Sequence, residues 1–269
     1  MGGRHSDSIL DLTESNIGGI EIQYSMPAET NHPVFEAPTD PSIKIWRYMD
    51  FTKFVVLLDS EALFFSRADL LDDPYEGSTS HFNKLTRPVV YKDKIPMEAL
   101  QKMSAHSAWV RQWTYISCWH MNEHESTAMW KLYAQTSEAV AIQTTYKQLA
   151  ALLPEDAYIG KVKYIDYQTE WLPEGNLFYP YVHKRKSFEH EREIRALVMD
   201  IPDKSEKRRS RPNPDFGRLI HIDLAQLIEN VYVAPTCPLW FRSIVDNVLK
   251  KYGLSKTVAT SAIDLPPTY

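Results

Sequence analysis

Lys186-Ser187-Phe188-Glu189-His190-Glu191-Arg192-Glu193-Ile194-Arg195-Ala196-Leu197-Val198 sets three carboxylates at the lip of an apolar run. As a strand, it turns Glu189, Glu191, Glu193, Arg195 and Leu197 to one face, and Phe188, His190, Arg192, Ile194, Ala196 and Val198 to the other. Burying a row of like charges is costly unless they are paired, so such a row is either a solvated rim or a site. As a helix, the same stretch needs only an ordinary Glu191–Arg195 pair at i,i+4, worth about 0.3–0.5 kcal/mol. What precedes the stretch in the chain decides between these readings.

The chain has 269 residues, 43% hydrophobic and 24% charged, with a formal net charge of −5. That is the composition of a globular domain without an overall basic field for nucleic acid. Two cysteines, Cys118 and Cys237, make neither a disulfide framework nor a four-cysteine zinc site. No apolar run is long enough for a signal peptide or a membrane-spanning helix, and the expected location is the cytoplasm. None of the 9 glycines falls into a phosphate-loop or dinucleotide pattern.

Residues 1–42 read as an N-terminal arm, interrupted by Pro27, Pro33, Pro38 and Pro41, a partly ordered extension lying on the domain rather than one with a strand at 19–24. From 43 to 269 the chain reads as a single α+β domain. Lys44-Ile45-Trp46-Arg47-Tyr48 is a strand, and Asp50 caps a helix that carries Phe51, Phe54, Val55 and Leu58. A second strand spans 62–66, and Asp72-Asp73-Pro74-Tyr75-Glu76-Gly77 is a loop tip. Residues 78–112 are a helical insertion, and 114–119 form a third strand. Asn122 with Glu125 resembles a capping box. Further strands fall at 139–143, 160–165, 219–222, 230–233 and 257–259, with a helix at 239–251.

Several constellations carry chemistry. Cys118, His120, His124 and His190 suggest zinc but match no standard ligand spacing, and no metal is expected. Cys118 with His120 suggests a nucleophile pair lacking an orienting third group. The basic loop 204–211 is a solvated loop or a phosphate contact, which leaves nucleic acid open as a partner. The most coherent set joins separate strands: Arg47, then Ser117, then Glu191 and Glu193. It offers a cation for phosphates, a hydroxyl to orient a ligand, and carboxylates to stabilise a developing positive charge.

From about Ile45 onward the chain resembles the bacterial domain-of-unknown-function family numbered 2971. The resemblance rests on Trp46-Arg47-Tyr48, Phe64-Phe65-Ser66-Arg67-Ala68 and the 72–77 tip. It continues in Ile116-Ser117-Cys118-Trp119-His120, 125–133, Val162-Lys163-Tyr164, Lys184-Arg185-Lys186 and 188–195. Asp72 stands where the family more often has Asn, and either residue suits the turn. The resemblance implies a bacterial defence setting against phage, of the abortive-infection kind. The order Arg, Ser, Glu-x-Glu also resembles the ADP-ribosyltransferase fold, with Cys118-Trp119 in place of the usual Thr-Ser and a long Ser117–Glu193 interval.

That second resemblance implies a split mixed or antiparallel sheet, NAD as substrate, and Glu193, Glu191 and Arg47 as catalytic residues. Arg47, Tyr48, Ser66, Ser117, Trp119, Trp130, Tyr133, Lys186 and Arg195 would bind a nucleotide-like small molecule, with a protein as partner or acceptor. Two other readings stay open. One is a non-catalytic sensor or interaction module held together by the same charges. The other is a metal-dependent nuclease or phosphodiesterase using Asp73, Glu76 and Glu191. With Arg47 and Ser117 on earlier strands, 186–198 reads as the strand that delivers Glu191 and Glu193 to them.

Overall fold

The computed structural model describes residues 32–264 apart from 93, 135 and 204. The 19–24 stretch of the arm lies outside the described residues. The chain enters its sheet at β1 (Lys44–Asp50), and Asp50 caps α1 (Phe51–Ser60), its carboxylate accepting from the Lys53 amide at 2.7 Å. β2 (Ala62–Arg67) follows, then α2 (His81–Val90) and α3 (Met97–Val110). The centre of the molecule is β3 (Thr114–Met121), followed by α4 (Thr127–Tyr133), β4 (Ala139–Thr145) and α5 (Tyr146–Leu152). Then come β5 (Ala157–Lys161), β6 (Lys163–Ile165), β7 (His183–Arg185) and β8 (Glu193–Met199). The chain ends through β9 (Gly217–His221), α6 (Leu224–Leu227), β10 (Asn230–Val233), α7 (Leu239–Lys251) and β11 (Thr257–Thr260).

Nine strands make one mixed sheet, antiparallel except for β10 beside β11, while β6 and β7 pair separately in parallel. The class is α+β, as the sequence indicates. The sheet forks at β3. One edge of β3 is paired with β8 throughout, from Thr114 opposite Met199 to His120 opposite Glu193. The other edge is shared: β2 takes Tyr115 and Ile116, and β1 takes His120 and Met121. Ser117, Cys118 and Trp119 fall between the two and have no ladder partner on that edge.

Alternation along β8 divides the core. Ile194, Ala196 and Val198 join Ile45, Phe65, Tyr115 and Trp119 in the main apolar core, covered by α1, α5 and α7. Leu197 faces the opposite side with Ile116, Val34, Phe35 and Tyr181. Residues 32–36 lie along β5, where Phe35 stacks on Tyr158 at 5.2 Å and the Lys161 amide donates to Glu36 O at 2.8 Å. Trp46 and Tyr48 face a third cluster with Met129 and Trp130.

Two local expectations need correction. Residues 186–198 are neither one strand nor one helix. Lys186–Glu191 is a 3₁₀ helix, Arg192 sits in the left-handed region at φ 42°, and the strand begins only at Glu193. Glu191 and Glu193 therefore do not share a pleat. A non-glycine residue in that region is strained, and the Arg192 carbonyl accepts there from the Met121 amide at 2.9 Å. The cap of α4 is Ser126, whose hydroxyl accepts from the Met129 amide, not Asn122 with Glu125. Glu125 accepts from Trp130 Nε1 at 3.0 Å and from the Ala262 amide at 2.6 Å.

Candidate functional site

A buried chain of charges runs beneath the turn at 191–193. Arg195 has no exposed surface, and its guanidinium is forked between two carboxylates. Nε donates to Glu193 Oε1 at 2.6 Å and Nη2 to Glu193 Oε2 at 3.0 Å. Nη2 also donates to Glu76 Oε2 at 2.7 Å, and Nη1 reaches Glu76 Oε1 and, at 2.7 Å, the Tyr181 carbonyl. Lys184 Nζ bonds Glu191 Oε2 and lies 3.4 Å from Glu193 Oε2. Phe188 covers this ammonium at 4.6 Å and the Arg185 guanidinium at 5.1 Å.

Burial works to raise the Glu193 carboxyl, but Arg195 and Lys184 outweigh it and hold it at about 2. Burial likewise works against the Lys184 ammonium, and Glu193 prevails and raises it. Three carboxylates, Glu76, Glu191 and Glu193, share two cations. Burial pushes the Glu76 carboxyl up against the pull of Arg195, which favours its neutral form. Glu193 already uses its acceptor positions on Arg195 and Lys184. Glu191 is different: Oε2 meets Lys184, and Oε1 has no hydrogen bond among the described residues.

The fork holds the other half of the constellation. Arg47 sits at a core-facing register position of β1 yet is only half-buried, because its guanidinium lies in the gap between β1 and β2. Nη1 donates to Ser117 Oγ at 3.1 Å, and Nη2 donates to the Phe64 carbonyl at 2.8 Å. Trp119 lies beneath the guanidinium at 5.8 Å and donates its Nε1 to the same Ser117 oxygen at 3.1 Å. Ser117 thus accepts twice and keeps its own proton to give. Among the described residues Arg47 makes no ion pair. Burial lowers it to about 10, so it remains a cation at neutral pH without a carboxylate.

Arg47 and Ser117 do not touch Glu193. Ser117 stands opposite Ala196 and Cys118 opposite Arg195, so Ser117 and Glu193 belong to opposite faces of β3. Cys118, half-buried, hydrogen-bonds Glu193 and also interacts electrostatically with Arg47. Burial, reinforced by Glu193, pushes that thiol well up, so Cys118 is not an activated nucleophile.

Of the other expected residues, Tyr48 packs edge-on to Trp130 at 4.9 Å and accepts from the Ser126 amide at 2.9 Å. Tyr133 is exposed on α4, and burial of its hydroxyl, with the charge of Glu191, raises its pKa. Ser66 is half-buried opposite Ile116. Lys186 is exposed, and Lys184, two residues earlier, is the lysine that grips the carboxylates. Sequence reasoning missed Lys184 and the role of Glu76. Both stood in the quoted motifs, but only the fold of the 72–77 tip onto β8 joins them.

The hard-cation reading loses its ligands. Asp73 pairs with Arg185 at 2.8 Å, Glu76 with Arg195, and Glu191 with Lys184. Among the described residues no group of three His, Cys, Asp or Glu side chains could hold a metal. In the basic loop, Arg208 is taken by Asp200 at 2.9 Å and Glu206 at 2.6 Å, and Arg209 by the Pro202 carbonyl. Among the described residues no helix is long and apolar enough to cross a membrane.

No protein-family model matches the chain, so no such match stands behind the resemblance to the family numbered 2971, and no curated protein matches it either. Solved structures similar to it include DarT of Thermus sp. 2.9 in complex with NAD+, at TM-score 0.39 and 9% identity over 86% of this chain and 100% of that one. The same protein with carba-NAD+ gives TM-score 0.39 and 9% identity, over 84% and 98%. Its complex with ADP-ribosylated ssDNA gives TM-score 0.39 and 9% identity, over 86% and 100%.

Proposed function

We propose that the chain binds an anionic nucleotide at the fork, that the nucleotide is NAD, and that its ADP-ribosyl group is transferred to an acceptor. The observation that carries this reading is Arg47. A half-buried guanidinium without a carboxylate costs free energy that a phosphate oxygen would offset, and its planar head suits a diphosphate. On the other face of β3 Glu193 is held ionised, which complements the positive charge that develops as the nicotinamide bond breaks. NAD has both: a diphosphate at its centre and a cationic nicotinamide ring at one end.

In this reading the bond between ribose C1′ and the nicotinamide nitrogen breaks, and nicotinamide leaves with the electron pair. The acceptor's oxygen or nitrogen bonds to C1′, and its proton passes to Glu191 Oε1. Ser117 and Trp119 fix Arg47. Glu193, held ionised, stabilises the oxocarbenium-like charge and is unsuited to carrying protons. Tyr48, Tyr133 and Trp130 wall the approach. A bacterial defence role belongs to the same proposal and rests on the family resemblance alone.

A second reading is favoured by one observation: Glu193 is sealed at 4% exposure and fully engaged by Arg195 and Lys184. A sensor or interaction module would need the same network for its fold alone. Incubation with nicotinamide-labelled NAD separates the two. The transferase reading expects nicotinamide release and a labelled acceptor or self-modified chain, lost in Glu191→Gln. Binding of NAD without release supports the sensor. Neither binding nor release at millimolar NAD rejects the nucleotide reading.

A further inference from the structure

We infer that His120 is a positioning residue that presents Glu191 to the acceptor, an inference that rests on the transferase reading above. His120 lies on β3 directly opposite Glu193 and is 4% exposed. Its Nδ1 is 2.6 Å from the Glu191 carbonyl oxygen. A carbonyl only accepts, so Nδ1 carries a proton; burial lowers the His120 pKa and favours the neutral ring, whose Nε2 then holds a bare lone pair. Nε2 is buried and has no partner among the described residues. The imidazole is therefore fixed in one tautomer by a single bond, and that bond goes to the backbone of Glu191.

The next two residues are anchored as well, by different means. The Arg192 carbonyl accepts from the Met121 amide at 2.9 Å, and the Glu193 amide donates to the Tyr164 hydroxyl at 2.8 Å. Glu191 closes the 3₁₀ turn just before the left-handed Arg192, where the backbone has no ladder to hold it. His120 supplies the missing hold from the central strand. Lys184 then fixes Oε2 of Glu191, which leaves Oε1 at a set place on the rim. A carboxylate that must take a proton from an acceptor needs that constraint, because small displacements of a reacting group cost much of the rate.

The test compares His120→Asn with His120→Gln. The amide nitrogen of Asn stands where Nδ1 stands and can still donate to the Glu191 carbonyl, whereas that of Gln stands at the Nε2 position. His120→Asn is expected to keep kcat within about twofold, and His120→Gln to lose about 10- to 100-fold in kcat. NAD KM stays unchanged in both, since Arg47 lies on the other face of β3. Hydrogen exchange at residues 189–193 should quicken in His120→Gln and not in His120→Asn, a readout that needs no activity. If wild type neither binds nor turns over NAD, the transferase reading fails while exchange still decides the role of His120. Equal kcat or equal exchange in the two variants would overturn the inference. Should either variant fail to fold, nitrogen NMR of wild-type His120 decides: the Nδ1–H tautomer supports the inference, and the Nε2–H tautomer overturns it.

Discussion

Replacing Arg195 by methionine tests whether the charged chain is a single electrostatic unit. Methionine fills much of the same volume but removes all five hydrogen bonds that Arg195 makes to Glu193, Glu76 and the Tyr181 carbonyl. Glu76, at 3% exposure, is then left as a buried carboxylate without its cation, and Glu193, at 4%, keeps only Lys184 at 3.4 Å. Removing one partner of such a pair costs about 3–5 kcal/mol. For a chain of this size that corresponds to a fall in Tm of roughly 6–20 °C, read by circular dichroism at pH 7. The sign with pH is also set. In wild type the stability supplied by Glu193 is present above its ordinary value of 4.5 and lost as pH falls toward about 2. In Arg195→Met the uncompensated carboxyls are raised instead, so lowering the pH from 7 toward 4 protonates them and narrows the gap to wild type. Adding Glu193→Gln and Glu76→Gln to Arg195→Met should recover much of the loss at pH 7, because the charge rather than the packing is at fault. A Tm within about 2 °C of wild type at pH 7, or a gap that widens on acidification, would refute this reasoning.

Other outcomes follow from the same geometry. Gly160→Ala would set its Cβ 2.9 Å from the Phe35 backbone, so limited proteolysis should cut near residues 32–36 faster than in wild type. Gly217→Ala would set its Cβ 2.4 Å from the Phe65 carbonyl and lower stability by about 1–3 kcal/mol in urea melts by forcing β9 off β2. Cys118, whose thiol burial pushes up, should alkylate far more slowly at pH 8 in the folded chain than in urea, as read by peptide mass spectrometry. Fast native alkylation of Cys118 would show instead that the thiol is activated.

Much of the architecture was legible because the local signals agree with one another. Asp50 before Phe51, the 62–66 and 114–119 apolar runs, and the 239–251 helix each needed only spacing and a cap or a stop. The turn at 186–192 was not legible, because alternation predicts a pleat wherever charged and apolar residues alternate. Lys184 on β7 and Phe188 over its ammonium hold it from nearby, but the contact that alternation cannot show is distant: His120 on β3. The candidate residues themselves could be named, but not their faces. Ser117 and Glu193 looked like partners because both are polar residues on strands. Register alone, Ser117 opposite Ala196, separates them, and register between strands 76 residues apart depends on the whole sheet. Ser126 took the α4 cap from Asn122 for a simpler reason: Asn122 is engaged at its carbonyl by Trp46 Nε1 and at its side chain by Arg192.

The claim on which the rest depends is that Arg47 is a cation awaiting an anion. Isothermal titration of wild type and Arg47→Gln with NAD, ADP-ribose and nicotinamide riboside tests it directly. The glutamine is polar but brings no charge. The account predicts that wild type binds NAD and ADP-ribose but hardly nicotinamide riboside, which lacks the diphosphate. It also predicts that Arg47→Gln loses about 1.5–3 kcal/mol for the two diphosphate ligands, the worth of a charged hydrogen bond. Equal affinities of wild type and Arg47→Gln for NAD, with the variant folded, would contradict it.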